Sequence, residues 1–462
     1  MPLMKSISGI RGTIGGTPGE NLTPVDIVNF TAAYATLLLQ EGKGRKVVVG
    51  RDGRMSGPLV QELVMQTLVS MGMEVVDLGL STTPTVEMAV VFEQAAGGII
   101  ITASHNPKQW NALKLLNEKG EFISTTLGKQ LLDVAAAQAF HFVPVDELGT
   151  ILPGTGLLEQ HIQAILAHPL VDRSAIAARG FKIVVDAINS SGALAVPALL
   201  QALGITSFTV LNGEMHGNFV HNPEPLAEHL TELSAAVVDQ QADLGIAVDP
   251  DVDRLVFVCE DGRLFGEEYT LVAVADYVLQ HRKGNTVSNL SSTRALRDVT
   301  RKHGGTYYAS AVGEVNVVEK MKTVDAVIGG EGNGGVIDPH LHYGRDALVG
   351  IALFLSHLAK SGATATGLRA TYPNYHMSKN KIDLQPGTDV AAILAKIQRQ
   401  FAAEEVNTTD GVKIDFADGW VHLRASNTEP IIRIYAEAGN PERADALAQD
   451  LLQRMAALEQ KG

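Results

Sequence analysis

Six short runs of mostly β-branched residues set the tightest limit on what this chain can fold into. They are "KVVVG" from Lys46, "GGIII" from Gly97, "KIVVDA" from Lys182, "DLGIAV" from Asp243, "NTVSNL" from Asn285 and "DAVIGG" from Asp325. Amphipathic stretches such as "PLVQELVMQTLVSMG" from Pro58 lie between them. Strands alternating with helix-period segments predict βαβ units and mixed, mostly parallel sheets. The runs also fall into three blocks of two, and each run ends in a polar or Gly-rich loop. These loops are "GRDGRMSG" and "TASHNP", then "DAINSSG" and "DPDVDR", then "NLSSTRA" and "GEGNGG". Such a repeat predicts three similar α/β domains. Ligands in open α/β sheets bind beyond the carboxyl ends of the strands. Three domains facing one cleft would therefore bring "TASHNP", "DPDVDR" and "GEGNGG" together.

The pattern changes near Tyr372. A helix-like "DVAAILAKIQRQFAAEE" leads into "GVKIDF", "GWVHLRA" and "IIRIYAEA", and a last helix follows. This predicts a smaller C-terminal α+β domain. The expected division is 1–150, 151–255, 256–371 and 372–462, since 462 residues are too many for one core.

A formal net charge of −14 argues against nonspecific nucleic-acid binding and against anionic membrane surfaces. An anionic ligand would need a local basic island. The single cysteine, Cys259, allows no intrachain disulfide and fits a reducing cytosol. The start "MPLMKSISGIRGTIGG" carries no long apolar run, so no signal peptide is expected. "ALVGIALFLSHLAK" from Ala347 is too short to span a bilayer and reads as a buried helix. A cytoplasmic protein, monomeric or homodimeric, is expected.

"VDPDVDRL" places Asp249, Asp251 and Asp253 at alternate positions. Three carboxylates so close repel one another unless a cation lies among them, and oxygen-only ligation suits a hard ion such as Mg2+. A calcium loop of the EF-hand kind is the obvious alternative. It fails because position six is Arg254 rather than Gly and "LVFVCE" continues as a strand. Ser104 in "TASHNP" lacks the G-x-S-x-G elbow of a hydrolase nucleophile. Taken alone it reads as a turn or cap residue. Beside the aspartates, a phosphoserine there would complete the open coordination of the ion.

"GEGNGG" is no dinucleotide fingerprint. Glu331 and Asn333 suit hydroxyl recognition, though a flexible turn fits equally. "LRASNTEPIIRIYAEA" gathers Arg424, Ser426, Asn427, Thr428 and Arg433, a set suited to gripping phosphate. Arg11 in "GIRG", Arg51 and Arg54 in "GRDGR", Lys114 and Arg254 could add to the basic island. His216, His221, His340 and His342 show no metal-ligand spacing.

With "GIRG", "GRDGR", "TASHNP…NALK", "DPDVDR", "GEGNGG" and "RASNTEP" in this order, the whole chain resembles the α-D-phosphohexomutases. That family includes phosphoglucomutase, phosphomannomutase and phosphoglucosamine mutase. "HNPEPLAEHL" from His221 and "RDALVGIALFL" from Arg345 also resemble family segments. The resemblance implies four domains around a central cleft. It implies that Ser104 is the phosphorylated serine and that Asp249, Asp251 and Asp253, with the phosphoserine, hold Mg2+. Glu331 and Asn333 match the sugar-binding loop. Arg424, Ser426, Asn427, Thr428 and Arg433 match the loop that holds the nonreacting phosphate. Arg11, Lys114 and Arg254 match basic residues around the transferring phosphoryl group, with Lys114 the acid/base candidate. Two departures stand out. Ala112 replaces a usual Gly, and Gly335 stands where many members carry a His, whose contact must then be absent or moved to His340 or His342. The implied activity interconverts hexose 1- and 6-phosphates through a hexose 1,6-bisphosphate, with glucosamine phosphate favoured over glucose and mannose phosphates. A Mg2+-dependent sugar-phosphate phosphatase and a non-catalytic sugar-phosphate sensor are the rival readings.

Overall fold

Each predicted run is a strand, and the two runs of each block lie side by side. In the computed structural model, which describes residues 3–6, 9–384, 389–425 and 431–459, Lys46–Arg51 runs parallel to Gly97–Ile101. Lys182–Asp186 runs parallel to Leu244–Val248, and Asn285–Asn289 to Ala326–Glu331. On one side of each pair an outer parallel strand is added: Glu74–Leu80, Ser207–Leu211 or Tyr307–Ser310. On the other side the chain turns back into an antiparallel strand: Trp110–Leu116, Leu255–Cys259 or Gly335–Ile337. The same four-strand order thus recurs three times.

The first sheet gains Met4–Ser6, Gly9–Thr13 and Thr150–Pro153 to reach seven strands. Thr150–Pro153 and Leu255–Cys259 carry the first and second sheets a few residues past the borders expected at 150 and 255. The C-terminal sheet is antiparallel, with five strands running in space from His376–Asp383 to Glu405–Asn407. Helices Val390–Gln400 and Pro441–Glu459 accompany it.

The central strands Gly97–Ile101 and Leu244–Val248 are buried along their whole length. Helices cover both faces, which is why these strands read as continuous apolar runs rather than as alternation. The apolar helix Ala347–Ser361 is buried over its first three turns, and Asp346 caps it by accepting from the N–H groups of Leu348 and Val349.

The cores do not follow the repeat one to one. The first domain has its own apolar core around Val49, Val64 and Ile99. The fourth has another around Ile414 and Ile434. The second and third share one, continuous from Ile183 and Ile246 to Val274 and Phe354. The Phe257 and Phe354 rings stack across that junction at 3.8 Å. On that shared face neither domain buries its apolar residues alone, while each keeps a smaller cluster of its own on the other face, around Val184 and Leu233 or around Val287 and Met321. Among the described residues no helix is long and apolar enough to cross a membrane.

Candidate active site

The three loops singled out in the sequence are the same loop of the repeated fold. Each joins the second strand of a block to its antiparallel neighbour. Ser104 follows Gly97–Ile101, Asp249 to Asp253 follow Leu244–Val248, and Asn333 closes the turn after Ala326–Glu331.

Ser104 sits with φ of +49°, a left-handed conformation that costs a non-glycine residue energy and is found where the surroundings hold it. Its N–H donates to Thr102 Oγ1 at 2.9 Å. Arg54, fully buried, does most of the holding. Its guanidinium donates to the carbonyls of Ser104, Asn106 (2.6 Å) and Pro107 (2.8 Å). Asp52 pairs with Arg54 at 3.0 Å, balancing the buried charge. The backbone is thus fixed, and the Ser104 hydroxyl leaves the loop to donate to Asp249 Oδ2 at 2.6 Å.

In an extended chain Asp249, Asp251 and Asp253 would share one face but be spread along it, about 7 Å from one to the next, yet here their carboxylates converge. Val252 makes the difference. Its φ of +62° is unusual for a β-branched residue and curls the loop inward. The N–H groups of Asp253 and Arg254 close that curl by donating to Asp249 Oδ1, each at 3.1 Å. One oxygen of each aspartate lies within 4.8 Å of the others, and all three residues are wholly buried.

Two cations from other parts of the chain reach this cluster. Lys114 Nζ donates to Asp251 Oδ2 at 2.7 Å and Asp253 Oδ2 at 3.2 Å. Arg345 Nη2 donates to Asp253 Oδ2 at 2.7 Å. Thr83 Oγ1 adds a bond to Asp251 Oδ2 at 2.6 Å. Burial works against charge on Asp251, but Lys114 outweighs it and lowers that pKa. Asp249 is pushed well upward by burial and then by its two acidic neighbours. Burial opposes the Lys114 charge too, and Asp251 and Asp253 overcome it, so the ammonium keeps its proton. Asp251 Oδ1 and Asp253 Oδ1 are buried with no hydrogen-bond partner among the described residues. Unpaired carboxylate oxygens this deep are costly, and a divalent cation would satisfy them. The donor set, oxygen only, fits Mg2+.

Arg345 continues the network into the third domain. Its Nη1 donates to Glu331 Oε2 at 3.0 Å and its Nε to Glu314 Oε2 at 2.9 Å. Asn289 Nδ2 and the Gly313 N–H supply Glu331 Oε1, at 2.8 and 3.1 Å. Asn333 Oδ1 accepts from its own loop, from Gly335 N–H at 3.2 Å.

Of the expected basic residues, Arg11 and Arg254 join Arg54 beside the serine loop. Arg11 Nη1 donates to Asn106 Oδ1 at 2.7 Å, and burial lowers its pKa to about 10. Arg254 pairs with Glu224 at 3.4 Å, while its Nε is buried without a hydrogen-bond partner among the described residues. His105 lies with Nδ1 3.4 Å from the Ser104 hydroxyl. Burial and then Arg254 and Arg11 push its pKa well down, so it is neutral. Arg424 and Arg433 face each other across paired strands of the fourth sheet. Asp410 holds Arg424 at 3.2 Å and also accepts from Val312 N–H of the third domain at 3.0 Å. Ser426, Asn427 and Thr428 lie outside the described residues.

Arg345, Glu314, Asn289 and Thr83 were missed as site residues. Each meets its partner far away in sequence, so although Asn289 opens "NLSSTRA" and Arg345 opens "RDALVGIALFL", nothing in the local spacing gives their roles. The departures from the resembling family have physical reasons. Ala112 fits within a fully buried strand, opposite Arg11. A side chain at Gly335 would meet Arg345 Cδ at 2.4 Å, so Arg345 occupies the room a histidine would need. His340 and His342 do not take its place. His340 packs edge-on against His168, and His342 turns to Glu87 and Asp346.

Comparison with known proteins agrees with this architecture. Four domain families described as phosphoglucomutase/phosphomannomutase match: α/β/α domain I at residues 4–141, II at 159–262, III at 266–375 and the C-terminal domain at 380–454. A phosphoglucomutase/phosphomannomutase of Thermococcus kodakarensis is 37% identical, covering 94% of this chain and 95% of its own. A phosphoglucosamine/phosphogalactosamine mutase of Sulfurisphaera tokodaii is 32% identical over 96% and 97%. The crystal structure of a phosphoglucomutase/phosphomannomutase family protein from Burkholderia thailandensis superposes with a TM-score of 0.87 at 27% identity, covering 100% and 99% of the two chains.

Proposed function

Because the chain belongs to the phosphoglucomutase/phosphomannomutase family of α-D-phosphohexomutases, we propose that it interconverts a hexose 1-phosphate and 6-phosphate through phospho-Ser104. The observation that carries this reading is the Ser104 hydroxyl bonded to Asp249 at 2.6 Å, beside the converged aspartates and Lys114.

In this mechanism a free hydroxyl of the bound sugar phosphate attacks the phosphorus of phospho-Ser104. The P–Oγ bond breaks as the sugar O–P bond forms, leaving a hexose 1,6-bisphosphate. Lys114 delivers a proton to Ser104 Oγ and recovers one from the attacking hydroxyl, so the step is balanced. The bisphosphate turns over within the cleft, and its other phosphoryl group returns to Ser104. Mg2+ held by Asp249, Asp251, Asp253 and the phosphoserine would draw off charge from the phosphoryl oxygens. Arg11 from strand Gly9–Thr13 and Arg254 from the aspartate loop act on the same charge, so positioning and electrostatics supply most of the rate.

Glu331 orients sugar hydroxyls. Its three bonds to Arg345, Asn289 and Gly313 hold the carboxylate still, and the NH2 end of Asn333 is left to donate. Arg424, Ser426, Asn427, Thr428 and Arg433 hold the nonreacting phosphate. The fourth domain has a separate core, which lets it release one end of the sugar and take the other. Glucosamine phosphate is the first substrate to test, given the name of the Sulfurisphaera relative; glucose and mannose phosphates follow. A cytosolic enzyme is consistent with Cys259 being a buried free thiol.

Assaying kcat/KM for the three sugar 1-phosphates, with a trace of bisphosphate, tests the reading. Sugar 6-phosphate without stoichiometric inorganic phosphate supports a mutase. Inorganic phosphate as main product would make it a phosphatase, and no turnover with tight binding would make it a sensor.

A further inference from the structure

A second cluster of ligating side chains lies where three domains meet, outside the site described above. His161 comes from helix Leu157–Leu166 of the second domain. His342 and Asp346 come from the third domain, just before helix Ala347–Ser361. His161 Nε2 is 2.9 Å from Asp346 Oδ2, and His342 Nε2 is 3.3 Å from the same oxygen. One donor atom of each residue lies within 4.8 Å of the others. Tetrahedral zinc with bonds of about 2.0–2.1 Å sets its ligands about 3.4 Å apart, so small side-chain shifts bring these three atoms onto one ion.

The surroundings are those of a metal-binding histidine pair. A ligating imidazole usually donates its other N–H to a carboxylate, hydroxyl or carbonyl. Thr85 Oγ1 stands 3.0 Å from His161 Nδ1. Glu87 Oε2 stands 3.4 Å from His342 Nδ1. Asp346 spends Oδ1 on capping its helix, which leaves Oδ2 for the ion. A second, independent observation comes from Glu87. It is 1% exposed, and among the described residues neither of its oxygens has a hydrogen-bond partner; nor does His342 Nδ1. Gly344 makes the room, since a side chain there would meet Glu87 Oε2 at 2.0 Å. Ligation through His342 Nε2 places an N–H on Nδ1, aimed at that orphaned carboxylate.

We propose that His161, His342 and Asp346 bind a first-row transition-metal dication, Zn2+ in particular, with Thr85 and Glu87 orienting the two rings. Two imidazoles and one carboxylate favour such an ion over Mg2+. The site is structural. It joins helix Thr83–Phe92, whose Thr83 holds Asp251, to Arg345, the sequence neighbour of Asp346 that holds Asp253 and Glu331. Zinc there would lock the first domain onto the second and third, which share one core.

The test does not use activity. The full chain is chelated, saturated with Mg2+ so that the aspartate cluster is filled, given one equivalent of Zn2+ and desalted. Zinc is expected to be retained, with X-ray absorption showing two imidazole nitrogens, and to raise the melting temperature. His342→Gln should lose retained zinc and the thermal shift, and Glu87→Gln should weaken zinc binding about 10–100-fold. Zinc lost on desalting, an oxygen-only shell, or equal retention by His342→Gln would overturn the proposal. Should His342→Gln fail to fold, the wild-type spectrum decides alone.

Discussion

The hydroxyl of Ser104 donates to Asp249 Oδ2 at 2.6 Å, although the two residues are 145 positions apart and belong to different domains. The serine is thus delivered to the acidic cluster by packing between domains. Ser104→Ala is expected to lower mutase turnover by at least about 10^4-fold, as loss of a covalent nucleophile does. It removes one hydrogen bond, so stability should change by no more than about 1–3 kcal/mol. Coupled turnover assays and thermal melts read the two effects, and substantial retained activity counts against the assignment.

Asp251→Asn removes one charge from the cluster and keeps its shape. Activity should fall sharply, and higher Mg2+ should restore it only in part, because one oxygen ligand is weakened. Chelation of the wild type should abolish turnover, and Mg2+ should bring it back. Full activity after chelation would remove the cation from the account.

Lys114→Met leaves Asp251 and Asp253 short of a buried counter-charge. Breaking such a pair costs about 3–5 kcal/mol, so the melting midpoint should drop. Turnover should fall about 10^2–10^4-fold if the lysine moves protons. Lys114→Arg separates the roles, since it keeps the charge but exchanges protons poorly. Stability near wild type with a low kcat is expected for it, and a normal kcat would leave Lys114 purely structural.

Gly335→His would place a side chain where Arg345 Cδ now lies. We expect Arg345 to be displaced, freeing Glu331 and Asp253 from it, and kcat/KM to fall. A variant with unchanged kinetics would show that Arg345 does not position Glu331.

His422 links the third and fourth domains. Its Nε2–H donates to the Asp410 carbonyl at 2.6 Å, and its Nδ1 accepts from Ser291 Oγ at 2.9 Å. Burial lowers its pKa to about 4. In the unfolded chain it returns to about 6.5, so between those values the unfolded state binds more protons. Stability is therefore lost as pH falls from about 6.5 to 4, by up to about 3 kcal/mol from this group. His422→Gln should flatten that limb of the melting-temperature profile, and the difference between the two profiles isolates the histidine. Parallel profiles would contradict the assignment.

The strands were legible because each is a short apolar run bounded by turn residues, and Gly97–Ile101 matches the run "GGIII" at both ends. The repeat was legible because its three loops carry unusual local chemistry. Asp249, Asp251 and Asp253 could be singled out from a few adjacent letters, whereas Ser104, alone a turn or cap residue, took its meaning from them and from the family resemblance. Arg345 could not, because its meaning lies in Asp253, 92 positions away. Arg54 read as one more member of a basic island, yet it is fully buried and spent on the backbone of the serine loop. The shared core of the second and third domains was also invisible, since periodicity shows which face is apolar and not what covers it.

The most direct test of the account follows the phosphoryl group itself. Enzyme carrying labelled phosphate on Ser104 is mixed, in a single turnover with Mg2+, with unlabelled hexose 1-phosphate. Label is expected to leave the protein and appear at the 6-position of the sugar, in bisphosphate and then in 6-phosphate. Label released as inorganic phosphate, or label carried equally well by Ser104→Ala, would contradict it.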